Sequence, residues 1–174
     1  MMGRPADAAL RLMIGYHQLD DTVDELAAET DELFAALLDE RLEQMPGLAE
    51  LLDDLERAGL PKAIATSSGA PFAHHVLGKF DLAPRFKFVL TCEDIRQGKP
   101  HPEIYLLAAS RLGLEPWELV VLEDSQNGCS AALAAGAIVV AVPAGSSRRH
   151  RFDGAALVAE SLGDPRLLAL LGLG

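Results

Sequence analysis

Short apolar runs that alternate with helical stretches constrain this chain more than any other feature of its sequence. The runs are Ala63, Ile64, Ala65; then Phe88, Val89, Leu90; then Leu119 to Leu122; and finally Ala137 to Val142. The first passes at once into Thr66, Ser67, Ser68, Gly69 and a helix, the second precedes a helix from Pro102, and the third precedes a helix from Ser125. Runs of this length without polar alternation read as strands buried on both faces. Strands separated by helices predict an α/β fold, a parallel sheet covered by helices on both sides.

The N-terminal quarter follows a different period. Residues 5–43 are helical in pattern, with Thr22 and Glu25 as a capping box and Val23, Leu26, Ala27, Leu33, Leu37 and Leu38 on one face. Met45, Pro46 and Gly47 break that pattern, and an amphipathic helix carrying Leu48, Leu51, Leu52 and Leu55 runs on to Gly59. A division into residues 1–44 and 45–174 follows.

Charge and cysteine usage narrow the classes of function. The 174 residues carry a formal charge of −11, which repels polyanions, so no nucleic-acid partner is expected. The basic run Arg148, Arg149, His150, Arg151 follows Gly145, Ser146, Ser147 and reads as a solvated loop. Cys92 and Cys129 lack metal-site spacing and suit a reducing compartment. No uncharged apolar stretch long enough for a membrane span or signal peptide is visible, so a cytoplasmic location without membrane partners is expected.

In open parallel sheets, ligands collect beyond the carboxyl ends of the strands. The residues at those ends are Thr66, Ser67 and Ser68, then Thr91, then Glu123 and Asp124, then Pro143. Glu123 and Asp124 are hard oxygen donors suited to Mg²⁺, or else Asp124 caps the next helix and Glu123 is solvated. The Thr66–Gly69 segment offers hydroxyls and free N–H groups to a phosphate, or else supplies an ordinary helix cap ahead of Pro71. Lys99 sits between Gly98 and Pro100 in a loop stiffened by Pro102, where it either neutralises an anion or faces solvent. His74 and His75 are adjacent on a helix and cannot form an i, i+4 metal pair, while Tyr105 and Trp117 read as packing residues.

Taken in order, Ala-Thr-Ser-Ser at 65–68, Gly-Lys-Pro-His-Pro-Glu at 98–103 and Leu-Glu-Asp-Ser-Gln-Asn-Gly at 122–128 resemble motifs II, III and IV of the haloacid dehalogenase superfamily. The match is nearest to its β-phosphoglucomutase-like branch. The opening Met-Met-Gly-Arg-Pro and Ala-Leu-Ala-Ala-Gly at 132–136 resemble pseudouridine-5'-phosphate phosphatase relatives. The resemblance implies a Rossmann-like core over 45–174, with residues 1–44 as the later part of a helical cap. It implies that Thr66, with the backbone at Ser67, binds the transferring phosphoryl group and that Lys99 balances its charge. It also implies that Asp124 binds Mg²⁺, joined by Glu123 directly or through water.

The implied activity is Mg²⁺-dependent hydrolysis of a small sugar-phosphate or nucleotide-like monoester, with phosphomutase or non-catalytic phosphate binding as alternatives. No apolar strand ending in D-x-D-G-T, the superfamily's motif I, occurs in the 174 residues; Asp20, Asp21 and Thr22 precede a helix instead. The nucleophilic aspartate and a central strand between those ending at Thr66 and Asp124 are therefore expected to be missing, as in a truncated phosphatase. Hydrolysis by this chain alone is then expected at background.

Overall fold

The side chains of one strand, β4 (Ile138–Ala141), divide the core in two. Val139 and Ala141 pack with α5 (Glu103–Leu112) and α6 (Gln126–Ala135). Val140, with Val142 just beyond the strand, packs instead with Leu51 of α3 (Leu48–Arg57) and Leu167 of α7 (Pro165–Leu170). A strand apolar on both sides is thus buried on both, which is why its sequence lacks polar alternation. The computed structural model describes residues 5–173, with side chains for 10–30, 33, 36 and 40–173.

The other strands are β1 (Ile64–Ala65), β2 (Val89–Leu90), β3 (Val120–Glu123) and β5 (Leu157–Val158). All pairings are parallel. β1 pairs with β2, while β3 pairs with β4 from Val120 opposite Ile138 to Glu123 opposite Ala141, and β5 covers the far edge of β4. The sequence pattern did not point to β5. Helices on both faces of parallel strands bear out the expected α/β class.

The strands form two sheets, β1-β2 and β3-β4-β5, rather than one. Ile64 and Thr66 donate their N–H groups to Phe88 and Leu90, so the backbone groups of Ala63 and Ala65 turn away from β2. On β3 the same alternation turns those of Val120 and Leu122 away from β4. A cavity of about 650 Å³ is lined by these two strand edges together with apolar side chains such as Leu51, Leu52 and Leu171. It lies between the edges of β1 and β3.

The chain forms two compact units, Met1–Glu43 and Gln44–Gly174. In the first, α1 (Pro5–His17) is followed by α2 (Val23–Arg41), and the expected capping box is present. Glu25 Oε2 accepts from the Thr22 N–H at 2.9 Å, and Thr22 Oγ1 accepts from the Glu25 N–H at 3.2 Å. Leu33 is exposed rather than sheltered on an apolar face, and Leu37, Leu38 and the opening residues 1–4 lie outside the described side chains and residues. No described helix is long and apolar enough to cross a membrane.

Gly47, which initiates α3, has φ +84°, and a Cβ there would sit 2.8 Å from the Gly163 nitrogen. Gly47→Ala is therefore expected to destabilise the second unit by about 1–3 kcal/mol. A fall in the urea midpoint without a change in slope would confirm it.

Candidate functional site

The carboxyl ends of β1 and β3 open onto a cavity of about 430 Å³, lined by Thr66, Ser67, Ser68, Lys99, Glu123 and Asp124 among others. The five expected site residues therefore meet at one place, although they come from three separate segments. Two strands deliver Thr66 and Asp124, and a loop between β2 and α5 delivers Lys99.

Thr66 and the serines do not cap α4 (Ala70–Lys79). Gly69 is its N-cap, in extended backbone, and makes no side-chain cap. The Ala70 N–H is met instead by Glu93 Oε1 at 3.1 Å, a long-range partner that sequence reading did not find. Thr66 Oγ1 accepts the Ser68 N–H at 3.1 Å, which leaves its own O–H to donate elsewhere. The capping alternative for this turn thus gives way to a short hydroxyl-bearing loop facing the cavity.

The loop carrying Lys99 is fastened at its base. Both oxygens of Glu103 accept backbone N–H bonds, from Arg96 and from Gln97, each at 2.9 Å. Pro102 occupies the cap position, so α5 begins at Glu103 rather than at Pro102 itself. Lys99 does not face solvent: its side chain is 9% exposed, and Nζ donates to the Ala65 carbonyl at 3.0 Å and to Glu123 Oε1 at 2.5 Å. Desolvated ammonium and carboxylate groups persist only as such a pair.

Glu123, expected beside Asp124 at a cation directly or through water, is an internal partner of Lys99. Its Oε1 accepts from Lys99 and from the Tyr105 hydroxyl, and its Oε2 accepts from the Ser125 hydroxyl at 3.0 Å and the Ser125 N–H at 3.3 Å. Gly128 lies against this carboxylate with no room for a Cβ. Burial pushes the Glu123 carboxyl up, but the Lys99 charge and these hydrogen bonds outweigh it and hold the group below its ordinary value.

Asp124 is exposed at the cavity wall and does not cap α6; Ser125 does, its Oγ accepting the Gly128 N–H at 3.0 Å. Among the described residues no group of three or more His, Cys, Asp or Glu converges to hold a metal. Asp124 is the exposed carboxylate that this cavity offers to a cation.

Two aromatic residues behave differently from their sequence reading. Trp117 is 65% exposed rather than packed. Tyr105 is buried as expected, yet its hydroxyl reaches Glu123 and its ring lies under Lys99, with Nζ 4.9 Å from the ring centroid. The one available signal was the need of any buried tyrosine hydroxyl for a partner. Cys129 is also buried beside this group, and burial, followed by the nearby Glu123 and Asp124 charges, pushes its thiol up to about 11.

Comparison with known proteins gives consistent matches. A family described as haloacid dehalogenase-like hydrolase matches residues 4–136. Hexitol phosphatase A of Escherichia coli strain K12 is 39% identical over 159 residues, which cover 87% of this chain and 69% of that protein. Phosphoglycolate phosphatase of Shigella boydii is 30% identical over 178 residues, covering 98% of this chain and 70% of the relative. Among solved structures, a putative beta-phosphoglucomutase from Thermotoga maritima superposes with TM-score 0.81 at 28% identity, over 98% of this chain and 79% of that one. The chain thus spans between two thirds and four fifths of the length of these three proteins.

Proposed function

This chain belongs to the haloacid dehalogenase-like hydrolases, and we propose that Thr66, Ser67, Lys99 and Asp124 form the phosphate end of a Mg²⁺-dependent site for a small phosphorylated metabolite. Its named relatives include phosphate-ester hydrolases, and a solved structure similar to it is named a mutase. The observation that carries the reading is the meeting of Thr66, Lys99 and Asp124 on one cavity at the strand ends.

Each residue has a separate task. The free O–H of Thr66 and the N–H of Ser67 donate to phosphate oxygens. Lys99, fixed by Ala65 and Glu123, sets a positive charge beside them. Asp124 holds Mg²⁺; a single carboxylate fits that ion, which keeps several waters and completes its shell with substrate phosphate. The ion when bound shields the negative charge of the phosphate. The small cavity suits a sugar-phosphate or nucleotide-like monoester.

The nucleophile is the remaining requirement. Asp20 and Asp21 lie just ahead of α2 rather than at the end of a strand. A strand ending in an aspartate would fit the slot between β1 and β3, since both facing edges have backbone groups turned toward it. Turnover in this reading depends on such a strand.

Phosphate release from a panel of monoesters tests this. The 174-residue chain is expected at background. The same chain preceded by an apolar strand ending in D-x-D-G-T is expected to turn over on the order of a thousandfold faster or more with Mg²⁺, and Asp124→Ala to return it to background. Absence of Mg²⁺-dependent turnover across the panel by the extended protein would refute the hydrolase reading. Transfer of the phosphoryl group to a second sugar hydroxyl rather than to water would identify a mutase.

A further inference from the structure

Lys99 has three N–H bonds, two of which go to the Ala65 carbonyl and to Glu123 Oε1. One side chain touches both members of that ion pair. The Tyr105 hydroxyl donates to the same Oε1, and the Tyr105 ring stands 4.9 Å from Nζ. We propose that Tyr105 is a positioning residue, which fixes the Lys99 ammonium beside the phosphate cavity through its ring on one side and through Glu123 on the other.

The chemistry of the cluster supports this over simple packing. Lysine has a flexible four-carbon stem, so placing its charge at one point requires contacts at the ammonium itself. An aromatic face supplies one such contact without removing a hydrogen-bond donor from Lys99. A tyrosine that is 4% exposed serves packing no better than phenylalanine unless its hydroxyl is partnered, because a buried hydroxyl without a partner is costly. Burial first, and then the Glu123 charge, pushes that hydroxyl well above the ordinary phenol value, so it stays protonated and able to donate. Ser125 holds the opposite carboxylate oxygen, so Glu123 is gripped at both ends and Lys99 is gripped by what Glu123 cannot move.

What Lys99 is positioned to do rests on the proposed phosphate site; that Tyr105 positions it does not. The sequence has four lysines, Lys62, Lys79, Lys87 and Lys99, so the ammonium signals of a ¹⁵N-lysine-labelled chain are readily assigned, with Lys99→Arg identifying the one of interest. In the unaltered chain the Lys99 ammonium is expected to show a protected signal. Tyr105→Phe keeps the ring and is expected to speed its hydrogen exchange about tenfold or more, the effect of one hydrogen bond to a charged group. Tyr105→Leu is expected to abolish the signal, with β3 and β4 amide signals reporting that the sheet is intact. In a Glu123→Gln background, Tyr105→Phe is expected to add little, because the hydroxyl acts through that carboxylate.

Inorganic phosphate binding by calorimetry supplies the second readout, with affinity expected to fall about fivefold in Tyr105→Phe and further in Tyr105→Leu. An unchanged Lys99 signal in Tyr105→Phe would overturn the proposal, even if Tyr105→Leu fails to fold. A responsive Lys99 signal in a chain that binds no phosphate would uphold the positioning role and count against the proposed function.

Discussion

Lys99→Met is expected to lower the unfolding free energy by about 3–5 kcal/mol, the cost of leaving a buried carboxylate without its partner. The Lys99 and Glu123 side chains are 9% and 8% exposed, so little water is at hand to replace the lost ammonium. The Tyr105 and Ser125 donors remain on Glu123, but they are neutral and do not cancel its charge. Adding Glu123→Gln should recover most of the loss, since the amide oxygen still accepts a hydrogen bond and the uncompensated charge is gone. A double-mutant cycle in urea measures the coupling directly. Equal midpoints for Lys99→Met and the unaltered chain would contradict the buried pair.

The same pair sets a sign for pH dependence. The folded Glu123 carboxyl lies below its ordinary value of 4.5. Its contribution to stability is therefore complete above about that pH and is lost as the pH falls through the folded value. In Lys99→Met, burial acts unopposed and raises the folded value above the ordinary one. The contribution then reverses: it is complete below the unfolded value and is lost as the pH rises through the folded one. Acid should weaken the unaltered chain through Glu123 and relieve the variant.

Gly128→Ala is the second large effect, and it runs against helix propensity. The position lies in the first turn of α6, where alanine would ordinarily gain about 1 kcal/mol over glycine. Here the added methyl overlaps the Glu123 carboxylate, so the variant is expected to lose about 1–3 kcal/mol net and to displace Glu123 from Lys99. Shortening the acid by Glu123→Asp in the same chain should restore part of the loss, because the carboxylate withdraws from the methyl. A Gly128→Ala protein more stable than its parent would show that the carboxylate does not sit where the structure places it.

These expectations concern groups whose importance was unequally visible in the sequence. Thr66, Ser67, Lys99, Glu123 and Asp124 were each legible as residues at strand ends or in a stiffened loop, and the resemblance ordered them into one site. What each was bonded to was not legible. Glu123 and Asp124 are neighbours in sequence, but strand alternation turns one into the core and leaves the other at the cavity, and only the first finds Lys99. Glu93 and Tyr105 stand 23 and 18 positions from the groups they serve, too far for any local pattern to connect.

Periodicity alone determined the α/β class, the helix boundaries near Gly47 and Gly59, the capping box at Thr22 and the strands that became β1 to β4, because those features depend on neighbours within a turn or a few residues. Only the tertiary structure decided that the strands divide into two sheets, that β5 closes one edge, and that Glu123 serves Lys99 while Asp124 stays exposed. Those outcomes rest on contacts between distant segments, where burial makes an unpaired charge costly and so selects which of two adjacent carboxylates is drawn inward.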